Sequence, residues 1–546
     1  AGSGDAKARV SYLVKNYTAG EAAARLAGKS SSALTKIPVN LTFSADIIDM
    51  TGYGNGFRGI GCSYGENKKV GSGDCSIPKV YRRNPLIKGI CADKTSTTTI
   101  KLSMNQNSYN SECLNGSWCS QGAGLFVDFH FTDGCTVNKF TISGEVKLGL
   151  FDNDKLTYMT TVSGRDVGVG GFAARTANSA GKVTFNGFSL NNLEVYGGSQ
   201  TGGAIGYIDG YQSKKARNVI FNFEKIENAN ISRWIYDNGS SGGLVGWNTG
   251  YGTVEIKGTT FSSEENVKNL TVTTYAENNN PSASAGGLVG TCDSSSVSIA
   301  KVTADSLKVT GEKVRDIGGL IAGKRNGATN NIAVSNCVLH TVEVNNPITI
   351  KIKNSAESCT GGIIGYHNSP LTISGVTIDQ NSKINGQQYT GGFAGQSVGN
   401  VTISNCEENK VCVKSDNKNW VGGFIGHLYP NKSATFQACK EENVNILGRY
   451  VGGLVGTADG DIQASNIEFL NVTAVTKYKE TENAGLLTGS TDINPKKNVN
   501  SVKGYNILAK SCKVGYATKV DVENLSKAPI TLIDNVGFWI GVNGVG

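Results

Sequence analysis

The side chains with reactive or ligand-binding chemistry fall into a few groups along this sequence. Six cysteines, Cys62, Cys75, Cys91, Cys113, Cys119 and Cys135, cluster in a loop-rich stretch. An even number of cysteines in such sequence, in a chain expected to be exported, reads as up to about three disulfides whose pairing the spacing does not fix. Zinc needs closely spaced ligands, and here there is no C-x-x-C pair and only His130 nearby, so no metal is expected. Asp459 and Asp461 flank Gly460, a spacing that can hold calcium but more often marks a plain turn. Amphipathic rings recur at equivalent turn positions, Tyr207, Trp247, Tyr366 and His427, where sugars can stack, although Thr291, Gln396 and Thr457 interrupt the row. Asn-x-Ser/Thr sequons, candidates for glycosylation, stand at Asn16, Asn40, Asn115, Asn230, Asn238, Asn269, Asn400, Asn431, Asn471 and Asn524.

A repeat must position these groups. Val401-Thr402-Ile403-Ser404-Asn405-Cys406 aligns with Ala434-Thr435-Phe436-Gln437-Ala438-Cys439 and with Ile462-Gln463-Ala464-Ser465-Asn466-Ile467. Each alternates apolar and polar residues, which is strand chemistry. Between them stand Gly-Gly-apolar-apolar-small elements, such as Gly422-Gly423-Phe424-Ile425-Gly426 and Gly452-Gly453-Leu454-Val455-Gly456. The first small residue of that element recurs at Gly170, Gly202, Gly242, Gly286, Gly318, Gly361, Gly391, Gly422, Gly452 and Ala484. A unit of about thirty residues, with insertions of about ten in three copies, indicates a solenoid. Short strands and no helix in each unit predict a parallel β-helix, or β-solenoid, of about ten to thirteen coils.

The columns of the alignment assign faces. Val302, Cys337, Val376, Cys406, Cys439 and Ile467 coincide and point inward, so these cysteines read as small core residues. A disulfide between Cys406 and Cys439 in neighbouring coils would be strained; Cys412 faces outward, and Cys292, Cys359 and Cys512 lie outside the column. The odd total of 13 leaves at least one thiol free or intermolecular. Paired apolar residues such as Leu244-Val245, Leu288-Val289, Ile363-Ile364 and Leu454-Val455 are ambiguous. In a strand one of each pair would face out and need cover by loops or a second subunit, whereas at a corner both would turn inward.

The repeat does not extend over the whole chain. Residues 1–36 hold the best helix formers and read as a short helical N-terminal cap or docking arm. Residues 37–165 read as a cysteine-rich β region that starts the solenoid, 166–490 as the repeat itself, and 491–546 as an apolar C-terminal cap or docking segment. Phe538, Trp539 and Ile540 are its assembly candidates, because apolar residues are unusual at a terminus. With 71 glycines, 18% charged residues and a net charge of +8 without a basic stripe, nucleic acid is not an expected partner. No run of 18 or more apolar residues is present, so no membrane-spanning helix is expected. The start at Ala1 suggests a mature form or an excised fragment.

At its Gly-Gly-Leu-Val-Gly elements the sequence resembles the GLUG-motif repeat regions of large bacterial surface proteins and of streptococcal IgA-specific metallopeptidases. The resemblance also rests on Ser44-Ala45-Asp46-Ile47-Ile48-Asp49-Met50-Thr51-Gly52 followed by Phe57-Arg58-Gly59-Ile60-Gly61, and on Ala123-Gly124-Leu125-Phe126 before Phe140-Thr141-Ile142-Ser143-Gly144. It implies an extracellular β-helical stalk or adhesive region and transfers no catalytic residue. The protease chemistry of those relatives sits in H-E-x-x-H, to which none of His130, His340, His367 and His427 belongs. The expectation is a non-enzymatic extracellular structural protein without cofactor that self-associates into a fibre or array. The alternatives are a cell-surface adhesin that binds glycans, and a polysaccharide lyase or hydrolase of the β-helix type. The last needs converging carboxylates, and the outward columns Thr402, Ser404, Thr435, Gln437, Gln463, Ser465 and Cys412, Asn445, Thr473 supply none.

Overall fold

The computed structural model describes residues 38–43, 45–52, 86–92, 97–106, 122–148, 150–152, 155–158, 168–176, 181–197, 200–208, 216–235, 238–249, 251–259, 265–276, 282–293, 295–324, 330–347, 358–415, 420–476, 484–491 and 501–516. The helix expected over residues 1–36 and the assembly candidates Phe538, Trp539 and Ile540 lie outside them. The chain divides into two compact units, Ala1–Thr260 and Phe261–Gly546. Each is a parallel β-helix.

In the first unit the broadest face is built from the long strands Phe131–Leu148, Gly181–Gly197 and Arg217–Ile235, paired in parallel. Ala173–Thr176 and Ile205–Ile208 pair on a second face, Gly168–Gly170 and Gln200–Gly202 on a third. Their inward positions are large: Phe185 stacks on Phe221 at 4.6 Å, and Phe129, Phe172 and Phe188 pack around them. On the outer side of the broad face the Asn222 amide donates to Asn186 Oδ1 at 2.8 Å and the Asn186 amide to Asn138 Oδ1 at 2.9 Å. Such ladders arise because parallel in-register strands bring identical amides within one strand spacing, about 4.8 Å, of one another.

The second unit repeats the plan with shorter strands. One face stacks Cys359–Gly361, Tyr389–Gly391, Trp420–Gly422 and Tyr450–Gly452; another stacks Ile364–His367, Ala394–Ser397, Ile425–Leu428 and Val455–Ala458. The broad face is divided into segments such as Val401–Ser404, Glu407–Asn409 and Cys412–Ser415. Single residues in the left-handed region mark the corners, Asn405, Ala438 and Asn466 at one and Lys410, Asn443 and Asn471 at the next, although strand Asp461–Leu470 runs on through Asn466. Asparagine suits such corners because its short amide bonds locally and offsets the steric cost of positive φ. The ladder continues through Val502–Lys510 and Lys513–Tyr516.

The inward column lies where alternation puts it. Val302, Cys337, Val376, Cys406, Cys439 and Ile467 are all buried, as are Leu307, Val342, Val411, Val444 and Val472 after the corner. Each buried branched side chain contributes about 1.5–3 kcal/mol of transfer free energy. The paired apolar residues of the closing element resolve as a corner. Leu454 and Val455 are both fully buried, as are Leu244 with Val245 and Ile363 with Ile364, so no outward apolar row forms there. The preceding glycines permit the corner: a Cβ built on Gly452 would collide with the carbonyl of Val455.

Candidate functional site

Among the described residues Cys135, Cys292, Cys337, Cys359, Cys406, Cys412, Cys439 and Cys512 carry thiols rather than disulfides. Cys135, expected among the disulfide candidates, is buried in strand Phe131–Leu148, and burial pushes its thiol up to about 12. Cys91 lies in strand Leu86–Ala92, while Cys62, Cys75, Cys113 and Cys119 fall outside the described residues. Cys406 and Cys439 form no disulfide; each thiol instead donates to backbone carbonyls, Ser404 at 3.1 Å and Ile403 at 3.5 Å. Among the described residues no group of three or more His, Cys, Asp or Glu is placed to hold a metal ion, and no helix is long and apolar enough to cross a membrane. Asp459 and Asp461 are engaged separately, the first with His427, the second as acceptor for the Ser501 amide at 2.8 Å.

The ring column exists in register. Tyr207 pairs with Trp247 across neighbouring strands, and their rings meet edge to face at 6.3 Å. In the second unit Tyr366, Gln396 and His427 succeed one another, so Gln396 separates the two rings. His427 is buried and stacks at 4.8 Å on Tyr389, a residue of the neighbouring face. Tyr389 in turn stacks on Trp420 at 4.9 Å, and Trp420 on Tyr450 at 6.0 Å, with interplanar angles of 18° and 14°. This ladder precedes the glycine pair by two residues in three successive copies, Tyr389-Thr390-Gly391, Trp420-Val421-Gly422 and Tyr450-Val451-Gly452. That recurrence was a signal in the sequence which the ring column alone did not use.

A hydrogen-bonded relay crosses four coils at the same place. The Cys359 thiol donates to Gln396 Oε1 at 3.5 Å, and Gln396 Nε2 donates to His427 Nδ1 at 3.3 Å. His427 Nε2, which must then carry the proton, donates to Asp459 Oδ2 at 3.0 Å. The amide interposed between thiol and imidazole prevents His427 from taking the thiol proton directly, so the arrangement orients rather than activates. A second pair has closer contact. Ser397 Oγ donates to His367 Nε2 at 2.9 Å, and His367 Nδ1 donates to the Ser369 carbonyl at 2.8 Å. Both side chains are fully buried, and burial, reinforced by the nearby Lys324 charge, holds His367 down at about 4. Lys324 is itself buried, donates to the carbonyls of Ser295 and Asn330, and is lowered to about 8 chiefly by burial.

The largest departure from the sequence reading concerns carboxylates. Glu408 and Glu441 pair directly across neighbouring strands, and both side chains are fully buried. None of their four carboxyl oxygens has a hydrogen-bond partner among the described residues, and each side chain reaches a glycine of the closing element, Gly392 and Gly423 respectively. Burial raises both carboxyls well above 4.5, and for Glu441 the neighbouring Glu408 adds to the shift. The alternation did carry the signal: two residues beyond the inward cysteine column come Leu339, Ile378, Glu408, Glu441 and Phe469, all inward positions. The first outward column is as read, with Thr402, Thr435 and Gln463 in register and Ser404, Gln437 and Ser465 beside them; in the second, Cys412 and Asn445 are half-buried and Thr473, expected to face outward, is buried.

Of the sequons, Asn269, Asn400, Asn431 and Asn471 are exposed, and Asn40 and Asn230 are half-buried. Asn238 begins strand Asn238–Gly242, and Asn16, Asn115 and Asn524 lie outside the described residues. No protein-family model, curated protein or solved structure matches the chain.

Proposed function

We propose that the chain is a non-enzymatic structural solenoid, a building block of an extracellular surface fibre, appendage or matrix, comparable in design to the GLUG-motif repeat regions that its sequence resembles. One observation carries this reading: the groups with chemistry turn toward neighbouring coils of their own solenoid. Tyr389, Trp420 and Tyr450 stack face against face, Glu408 and Glu441 lie inside, and the imidazoles of His367 and His427 are buried in hydrogen bonds. A β-helical polysaccharide lyase or hydrolase needs carboxylates converging on an accessible surface. The outer columns around Thr402, Thr435 and Gln463 carry hydroxyls and amides instead. An adhesin using the ring column needs open ring faces, yet Tyr207 and His427 are buried. The exposed sequons Asn269, Asn400, Asn431 and Asn471 favour an exported protein.

Negative-stain imaging with light scattering, on unreduced full-length protein from its native source, tests the proposal. Regular fibres or a lattice are expected, and removal of residues 528–546 is expected to abolish assembly while leaving the solenoid folded. Monodisperse short rods at all concentrations would overturn the building-block reading. A mass shift on enzymatic deglycosylation of the same material checks export separately.

A further inference from the structure

A concave groove of about 660 Å³ runs along one corner of the second unit. Two columns line it. The left-handed corner residues Asn381, Lys410, Asn443, Asn471 and Ser511 form one wall. The first positions of the strands that follow, Lys383, Cys412, Asn445, the buried Thr473 and Lys513, form the other, successive members being paired in register. The corner itself makes the concavity, because a left-handed residue turns the chain sharply between two flat strand segments. Five coils at about 4.8 Å give a trough roughly 19 Å long.

Its chemistry is one-sided. Lys383, Lys410 and Lys513 are exposed on it, and among the described residues the remaining lining is amide, hydroxyl, one thiol and one valine, with no carboxylate. Outside the lining, Glu407 and Glu442 pair with Lys440, and Glu343, which pairs with Lys308 at 3.3 Å, stands beside Lys383 in register. Cations at both ends and amides between them fit a linear ligand with spaced negative charges and many hydroxyls. The coil spacing is also of the same order as the rise per sugar of an extended polysaccharide chain.

We propose that this groove binds an anionic polysaccharide lying along the solenoid axis. Its carboxylate or sulfate groups meet Lys383, Lys410 and Lys513, and its hydroxyls meet the amides of Asn443, Asn445 and Asn471. The site is independent of the ring column and of assembly through the C-terminal segment. Asn471 is also a sequon residue on the groove wall, so a glycan attached there and the bound chain exclude each other.

The test uses the full chain made in a host without N-glycosylation, titrated by calorimetry with an oligogalacturonate, a heparin oligosaccharide, neutral dextran and single-stranded DNA. Binding of one or both acidic oligosaccharides is expected, weakening as salt rises. The triple variant Lys383→Gln, Lys410→Gln, Lys513→Gln is expected to lose affinity at least tenfold; its positions are exposed, and circular dichroism checks that it folds. Preference for the carboxylated or the sulfated probe then identifies the charged group. No binding of either acidic probe, equal binding of dextran, equal affinity of the triple variant, or tighter binding of DNA would each overturn the proposal.

Discussion

Glu408 and Glu441 make folding of the second unit depend on pH in a direction opposite to that of most surface carboxylates. Both are fully buried and stacked on one another, and both are raised well above 4.5 by burial. Below the unfolded value both carboxyls are protonated in either state, so their contribution to stability is fully present. Above it the unfolded chain releases two protons while the folded chain keeps them, and stability falls until the pair itself begins to ionise. Two protons give a slope of about −2.7 kcal/mol per pH unit, and one gives about −1.4. The pair titrates as a unit, because the first carboxylate to ionise holds its neighbour's proton. Glu408→Gln, Glu441→Gln and the double variant keep the shape and remove the titration. Urea unfolding of each, from pH 4 to pH 8, is expected to show a steep decline for the parent chain, about half the slope for each single variant and little slope for the double. The double variant is therefore expected to be more stable than the parent at pH 7 and close to it at pH 4. Trp420, on the neighbouring face, is one of five tryptophans, so a background that keeps Trp420 alone gives a local fluorescence readout, which matters because solenoid coils can open separately. A flat parent profile between pH 5 and pH 7, or a double variant less stable at pH 7, would refute the reasoning.

Three further outcomes are expected. Cys135, Cys292 and Cys406 are held at about 12, and Cys337 and Cys439 at about 11, chiefly by burial, so all five resist an aromatic disulfide reagent at pH 8 until denaturant is added; labelling with mass spectrometry reads this directly. Gly452→Ala forces a Cβ against the Val455 carbonyl and is expected to cost about 1–3 kcal/mol or more, seen as a lowered melting temperature by calorimetry. Asn466→Ala, at a left-handed corner and in a side-chain bond with Asn506 at 2.7 Å, is expected to cost about 1–2 kcal/mol, and Asn466→Gly less, by the same measurement.

The alternation of apolar and polar residues, the recurrence of Gly-Gly pairs and their spacing determined a parallel β-helix, and with it the inward Cys406 and Cys439 and the outward Thr402 and Thr435. Alternation is a local property of extended chain, since neighbouring side chains must point to opposite faces, and so it is legible without coordinates. Corners obey no such rule. Leu454 and Val455 both turn inward because the backbone bends beside Gly453, and the groove with Lys410 exists because a left-handed residue changes the strand direction there. The tertiary path also chose which residues meet: Tyr389 with His427 from a different face, Cys359 with Asp459 through Gln396 and His427, and Glu408 with Glu441 in the core. Those contacts join residues about thirty positions or more apart, and only the register between coils, set by backbone pairing, brings them within reach.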